Sequence, residues 1–298
     1  MDINILAWIA EHRTDALTAV MSAITFMGSE IFLIAIVCIL YWCISRKTGD
    51  RMLLTLFSGI MVNQYLKVIF CTPRPWVRSE RVKVVPSAIE DATGYSFPSG
   101  HTANAVSTFG GISRMEKVKK FGWVFWLIAI LVGFSRMYLG VHTPQDVIVS
   151  LVLGAILVLL MEKLNDALQN KPGLDLPISI ISILLGVGLC LFAYFRPYPD
   201  ENGLKISFDT FKLAGASVGI MIGWVLERRT VKFIIPKALW KKAVRFAGGL
   251  LLVLLIMKGL KSPLNAWLGE MAGSFLRYFL VGIAATYVWP LVFHKANF

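Results

Sequence analysis

Residues 121–162 read F-G-W-V-F-W-L-I-A-I-L-V-G-F-S-R-M-Y-L-G-V-H-T-P-Q-D-V-I-V-S-L-V-L-G-A-I-L-V-L-L-M-E. Two long apolar runs flank a polar turn, Ser135 to Asp146, which carries an arginine, a histidine and an aspartate. A spanning helix needs ~20 predominantly apolar residues, and continuous runs without a polar stripe read as membrane spans rather than core helices. The stretch therefore reads as two spans whose chemistry is gathered where they meet.

The rest of the chain follows the same pattern. Of its 298 residues, 56% are hydrophobic and 16% charged, against about 25% charged in a soluble domain, and the mean hydropathy is +0.67. The expected fold class is all-α, a polytopic transmembrane helix bundle of about nine spans. They fall near 29–45, 51–71, 99–114, 121–139, 144–162, 177–195, 208–226, 245–260 and 272–293. The third is short and rich in small residues (Ala103, Ala105, Ser107, Gly110, Gly111), as suits a helix packed closely inside a bundle. Residues 4–27 mix apolar positions with Glu11, His12, Arg13 and Asp15, and read as an amphipathic interfacial helix, with a tenth span as the competing reading. Asp2 and Glu11 stand where a cleavable signal would carry positive charge.

Basic residues separate the loops into two sets. Arg46, Lys47, Arg51, the 114–120 group, Lys163, Lys171, the run from Arg228 to Arg245 and Lys295 hold more than half of the 30 Lys and Arg. The positive-inside rule assigns these loops to the cytoplasm, which puts the N-terminus outside and the C-terminus inside. The net charge of +12 needs no nucleic-acid partner once that rule is applied. The four cysteines, Cys38, Cys43, Cys71 and Cys190, lack a CxxC spacing and read as small buried hydrophobes. Segment 171–177 divides the chain, giving an interfacial helix at 1–28, a catalytic core at 29–170 and a four-span extension of unassigned role at 171–298. Within the extension, 227–245 reads as an amphipathic surface helix.

Three clusters carry the chemistry: K-V-I-F-C-T-P-R-P at 67–75, P-S-G-H at 98–101 and S-R-M-Y-L-G-V-H-T-P-Q-D at 135–146. Each sits at the end of an apolar stretch, and all three fall on the non-cytoplasmic face. A phosphoryl group in transfer spreads negative charge over its oxygens, so its catalysis is largely positioning and electrostatic stabilisation. Lys67, Arg74 and Arg136 supply positive charge, and the arginine fork suits two phosphate oxygens at once. Ser99 offers a hydroxyl, and Gly100 lets backbone N–H groups approach an anion at a helix N-terminus. Two of the four histidines divide the remaining work. Asp146, four residues after His142, orients it as nucleophile, while His101 acts as general acid and base. Thr143-Pro144-Gln145-Asp146 also reads as a helix cap, so Asp146 has a purely structural explanation as well. Tyr95 and Phe97 read as lining the mouth of the site or anchoring it in the interface.

K-x6-R-P, P-S-G-H and S-R-x5-H-x3-D, in this order, resemble the signature of the type 2 phosphatidic acid phosphatase superfamily. That superfamily includes membrane lipid phosphate phosphatases, undecaprenyl-diphosphate phosphatases, glucose-6-phosphatase and the soluble vanadium haloperoxidases. The resemblance covers roughly residues 29–165. It implies His142 as nucleophile through a phosphohistidine, Asp146 as its partner and His101 as general acid. It also implies Lys67, Arg74, Ser99, Gly100 and Arg136 as phosphate ligands, with no metal or other cofactor. The expected partners are a phosphorylated lipid substrate and membrane lipids. The expected place is the cell (inner) membrane, with the active site on the periplasmic, extracellular or lumenal face. A sugar-phosphate phosphatase, a lipid phosphotransferase and a non-enzymatic lipid carrier are the rival readings.

Overall fold

The apolar runs fold as helices throughout. The computed structural model describes residues 2–298, and among the described residues there is no strand; Met1, the first residue of segment 1–28, lies outside them. The principal helices are α1 (Asp2–Glu11), α2 (Asp15–Phe26), α3 (Glu30–Ile39), α4 (Arg46–Phe70), α5 (Gly100–Ala105), α6 (Gly122–Tyr138), α7 (Pro144–Asn170), α8 (Asp175–Phe195), α9 (Asn202–Leu226), α10 (Leu239–Gly259), α11 (Lys261–Leu268) and α12 (Glu270–Ile283). Wider π-turns over Leu40–Ile44, Val106–Gly110 and Ala284–Val288 prolong α3, α5 and α12.

Six described helices are long and apolar enough to cross a membrane, and eight if each of two bent pairs is one span. The six match the expected spans at 51–71, 121–139, 144–162, 177–195, 208–226 and 272–293. The spans expected at 29–45 and 245–260 are halves of the bent pairs, α2 with α3 (46°) and α10 with α11 (41°). The ninth, Gly100 to Ser113, is about 21 Å long at 1.5 Å per residue, short of a ~30 Å hydrocarbon core. The run 227–245, expected as one amphipathic helix, is instead a π-turn over Glu227–Val231, a left-handed Lys232 (φ 51°), extended chain, and then the start of α10.

Two compact units build the chain. The first comprises Met1–Ile34, Arg51–Lys163 and Tyr198–Ile206; the second comprises Ala35–Asp50, Leu164–Pro197 and Ser207–Phe298. In the second unit, buried Asp50 accepts from Trp224 Nε1 (2.8 Å) and pairs with Arg228, while Glu227 pairs with Arg46 at 2.7 Å. The first unit holds all three clusters.

At its centre lies α5, with Thr102 to Gly111 entirely buried. Small residues let its neighbours close on it: a Cβ at Gly154 of α7 would strike Val106, and one at Gly133 of α6 would crowd Thr102. Such close approach is how helices associate where no water drives them together.

The segment expected as one interfacial helix over 4–27 is two helices. The first ends at Glu11, and Thr14 caps the second, its side chain accepting from Leu17 N at 3.3 Å, because a β-hydroxyl satisfies an orphan N–H better in the cap than inside a helix. Arg13 at this break donates to Tyr138 O (2.7 Å) and to Lys83 O. Ile9 and Met21 join Ala88, Ala92, Tyr138, Leu139 and Val141 in one apolar cluster. The N-terminal helices are thus packed on the turn that carries His142. At the bend after α2, a Cβ at Gly28 would lie 2.6 Å from Val132 Cγ1 and 3.0 Å from His101 O. Gly28→Ala is predicted to destabilise the protein by about 1–3 kcal/mol through overpacking, read as a lower unfolding temperature in detergent; an unchanged temperature would contradict this packing.

Candidate active site

Two helix starts position the reacting groups. Ser99 caps α5, accepting from Thr102 N (3.4 Å) and Thr102 Oγ1 (2.8 Å). Its backbone N–H donates to Asp146 O (3.2 Å), and its carbonyl accepts from Ser150 Oγ (3.0 Å). The first turn of α5 is therefore tied to the first turn of α7. A serine hydroxyl accepts twice and donates once, so Ser99 retains its proton for an incoming anion. At Gly100 the protein itself would admit a Cβ, with Asn63 Oδ1 at 3.7 Å as its nearest neighbour. The bare backbone at this helix N-terminus leaves room for a ligand oxygen.

Thr143 and Asp146 form a reciprocal cap at the start of α7. Thr143 N donates to Asp146 Oδ2 at 2.8 Å, and Asp146 N donates to Thr143 Oγ1 at 3.4 Å. The same Oδ2 accepts from Ser96 Oγ at 2.6 Å and faces His142 Nδ1 at 3.4 Å. Asp146 thus caps α7 and lies against the Nδ1 edge of His142 with the same oxygen.

On the other edge of the imidazole, Arg74 Nη1 lies 3.0 Å from His142 Nε2. A guanidinium has no lone pair to offer, so Nε2 is the acceptor in this contact and the ring proton sits on Nδ1, toward Asp146. In that tautomer the single in-plane lone pair of Nε2 points at Arg74, whose N–H has to turn to an anion before Nε2 can attack.

Backbone oxygens hold the cations. Arg74 donates from Nε to Gly94 O (3.1 Å), from Nη2 to Thr93 O (2.7 Å) and from Nη1 to Val141 O (3.1 Å). Lys67 Nζ donates to Tyr95 O at 2.6 Å. Arg136, 1% exposed, donates from Nη1 to Thr25 Oγ1 at 2.9 Å, while its Nε is buried without a hydrogen-bond partner. His101 Nε2 is likewise buried and unpartnered, and Arg136, His142, Arg74 and Lys67 are all close enough to act on its charge. Fixing cations through neutral carbonyls leaves much of their charge available to a bound anion, and in a site closed to water that charge acts strongly. The arrangement can bind a phosphate, present a nucleophilic nitrogen to it and offer a second imidazole to a departing oxygen.

The structure brings all eight predicted residues (Lys67, Arg74, Ser99, Gly100, His101, Arg136, His142 and Asp146) into the first unit. It adds three that the sequence reading missed. Ser96 is a hydroxyl two residues before the P-S-G-H run, and Thr25 and Gly28 belong to the N-terminal segment read as peripheral. Thr25, a lone polar residue in A-I-T-F at 23–26, was the available signal.

The chain matches the family model "PAP2 superfamily" over residues 51–168 and "PAP2 superfamily phosphatase, transmembrane extension" over residues 211–298. It is 29% identical over 178 residues to undecaprenyl-diphosphatase BcrC of Bacillus subtilis, covering 58% of this chain and 87% of that one. It is 32% identical over 171 residues to phosphatidylglycerophosphatase B of the same organism, covering 53% and 80%. Among solved structures, Aquifex aeolicus LpxE matches with a TM-score of 0.48 at 27% identity, covering 54% of this chain and 94% of that one.

His142 lies in the turn between α6 and α7, and burial, followed by the Arg74 charge, holds its imidazole well below the ordinary value despite the opposing pull of Asp146. Neutral His142 should therefore persist below pH 6.5, the ordinary midpoint. Because the unfolded chain takes up that proton first, this residue's share of stability is full above pH ~6.5 and declines as pH falls. In NMR of the purified protein, the His142 ring resonance, assigned by its loss in His142→Gln, is predicted to titrate below 6.5. A midpoint at or above that value would contradict the buried neutral nucleophile.

Proposed function

The chain belongs to the PAP2 superfamily, and from that membership and this site we propose that it is an integral membrane phosphatase acting on a lipid phosphate or diphosphate through a phosphohistidine. The observation that carries the reading is the placement of His142, with Nδ1–H toward Asp146 and the Nε2 lone pair beside Arg74. Nε2 attacks phosphorus and forms the P–N bond while the P–O bond to the lipid breaks. His101 gives its proton to the departing oxygen. Water, losing a proton to His101, then attacks the phosphorus, breaks the P–N bond and releases phosphate, which returns both imidazoles to their starting state. Lys67, Arg74, Arg136, the Ser99 hydroxyl and the N–H groups at Gly100 hold the phosphoryl oxygens throughout. The bound anion would itself favour the protonated His101 needed for the first step.

The names of the relatives favour a lipid substrate over a sugar phosphate, since one is an undecaprenyl-diphosphatase and another a phosphatidylglycerophosphatase. The catalytic face is taken as non-cytoplasmic because the basic loops lie at the other ends of the helices. On this reading α2 with α3 is the first crossing, α1 is the interfacial piece, and the short α5 completes nine passes, which brings the C-terminus to the cytoplasm. Residues 29–170 form the catalytic core, and Thr25 and Gly28 join it from the 1–28 segment. The family matches at 51–168 and 211–298 support a boundary near 171.

Purified protein in detergent should release phosphate from undecaprenyl diphosphate or phosphatidylglycerophosphate, with His142→Ala reducing the rate at least a thousandfold, the scale on which loss of a nucleophile is felt. Release from glucose 6-phosphate alone, or undiminished release by the variant, would overturn the reading.

A further inference from the structure

Three of the four carbonyls that accept from Lys67 and Arg74 belong to consecutive residues, Thr93, Gly94 and Tyr95. Their position is in turn set from outside the core sequence. Tyr95 is 1% exposed, and its hydroxyl donates to Asp200 Oδ1 at 3.0 Å. Its ring stacks on Tyr198 with centroids 6.4 Å apart. Gly94 adopts a left-handed conformation (φ 61°), and a Cβ there would lie 3.1 Å from Ile206 Cδ1. Gln64, one turn before Lys67 on α4, donates to Ile206 O at 3.3 Å.

Segment 198–206, the end of a loop and the first turn of α9, is itself tied together. Asp200 Oδ1 also accepts from Asn202 N at 2.9 Å, and Gly203 packs directly against the Tyr198 ring. Tyr198–Ile206 belongs to the first compact unit although the chain on either side of it belongs to the second.

We infer that this segment of the C-terminal extension is a working part of the phosphate site, with Asp200 acting through Tyr95 to position the 93–95 carbonyls that accept from Lys67 and Arg74. The inference rests on the phosphatase reading and gives the extension a role in it. Asp200 is a positioning residue: it touches the phenol that carries the Tyr95 carbonyl rather than the substrate. Burial, and then the hydrogen bond to Asp200, push the Tyr95 hydroxyl well above its ordinary value, so it remains a donor at any physiological pH. A shift of about 1 Å in a positioning group is enough to cost two orders of magnitude in rate, and three linked carbonyls move two cations at once.

The test uses the full chain, with Asp200→Ala, Asp200→Asn and Tyr95→Phe. Inorganic phosphate binding is measured by calorimetry, alongside kcat and KM on the lipid substrate and unfolding temperature. Asp200→Ala and Tyr95→Phe should each weaken phosphate binding and lower kcat/KM about tenfold or more, the scale of a lost hydrogen bond in a charged network. Asp200→Asn keeps an oxygen that accepts from both Tyr95 and Asn202 and should restore most of the loss. Wild-type phosphate binding in Tyr95→Phe and Asp200→Ala would overturn the inference. So would equal losses in Asp200→Asn and Asp200→Ala that track a fall in unfolding temperature. Failure of the wild-type protein to bind phosphate at all would instead count against the phosphatase reading.

Discussion

One carboxylate oxygen, Asp146 Oδ2, joins the parts of the site that must not move. It accepts from Thr143 N and Ser96 Oγ and faces the Nδ1 edge of His142. The cap fixes where α7 begins, the serine fixes the chain entering α5, and the histidine contact fixes the tautomer. A carboxylate oxygen has two lone pairs, which the short bonds from Ser96 (2.6 Å) and Thr143 (2.8 Å) take up, while His142 Nδ1 shares the same oxygen at 3.4 Å. The His142 ring is thereby oriented by the same bonds that start a helix, which ties the site to the folding of α7.

The second constraint is positive charge inside a bundle. Lys67, Arg74 and Arg136 are each at most 7% exposed, a costly state for a cation unless it is hydrogen-bonded. Carbonyls from 93–95 and 141 and the Thr25 hydroxyl provide those bonds while leaving net positive charge in place. A bound anion such as a phosphate ester would offset that cost. The packing of α1 and α2 on the 138–141 turn, and of the 198–206 segment on Tyr95, braces the carbonyl frame from two sides.

How much of this was legible in the sequence depended on how local the contacts are. The clusters were readable because their members sit within a helical turn or two: Asp146 is four residues from His142, and Ser99 is at its own helix start. Six spans were readable from apolar length, and two more correspond to bent pairs. The pairings of Thr25 and Asp200 were not readable, because their partners lie 111 and 105 residues away in the chain and no periodicity encodes such pairings. The break at Thr14 was signalled by a threonine followed by aspartate, a helix-start pattern, but the apolar positions on either side outweighed it. The bends at Gly28 and near Leu260 arise from packing and helix geometry that hydropathy does not report.

The account turns on a covalent bond between His142 and phosphorus. Substrate labelled at the reacting phosphate, mixed with the purified protein and quenched into alkali within milliseconds, tests for it directly. Label should remain on the protein, survive base, be released by acid and map to His142, with none on His142→Ala. Rapid turnover with no base-stable label, or label that persists in His142→Ala, would contradict the mechanism.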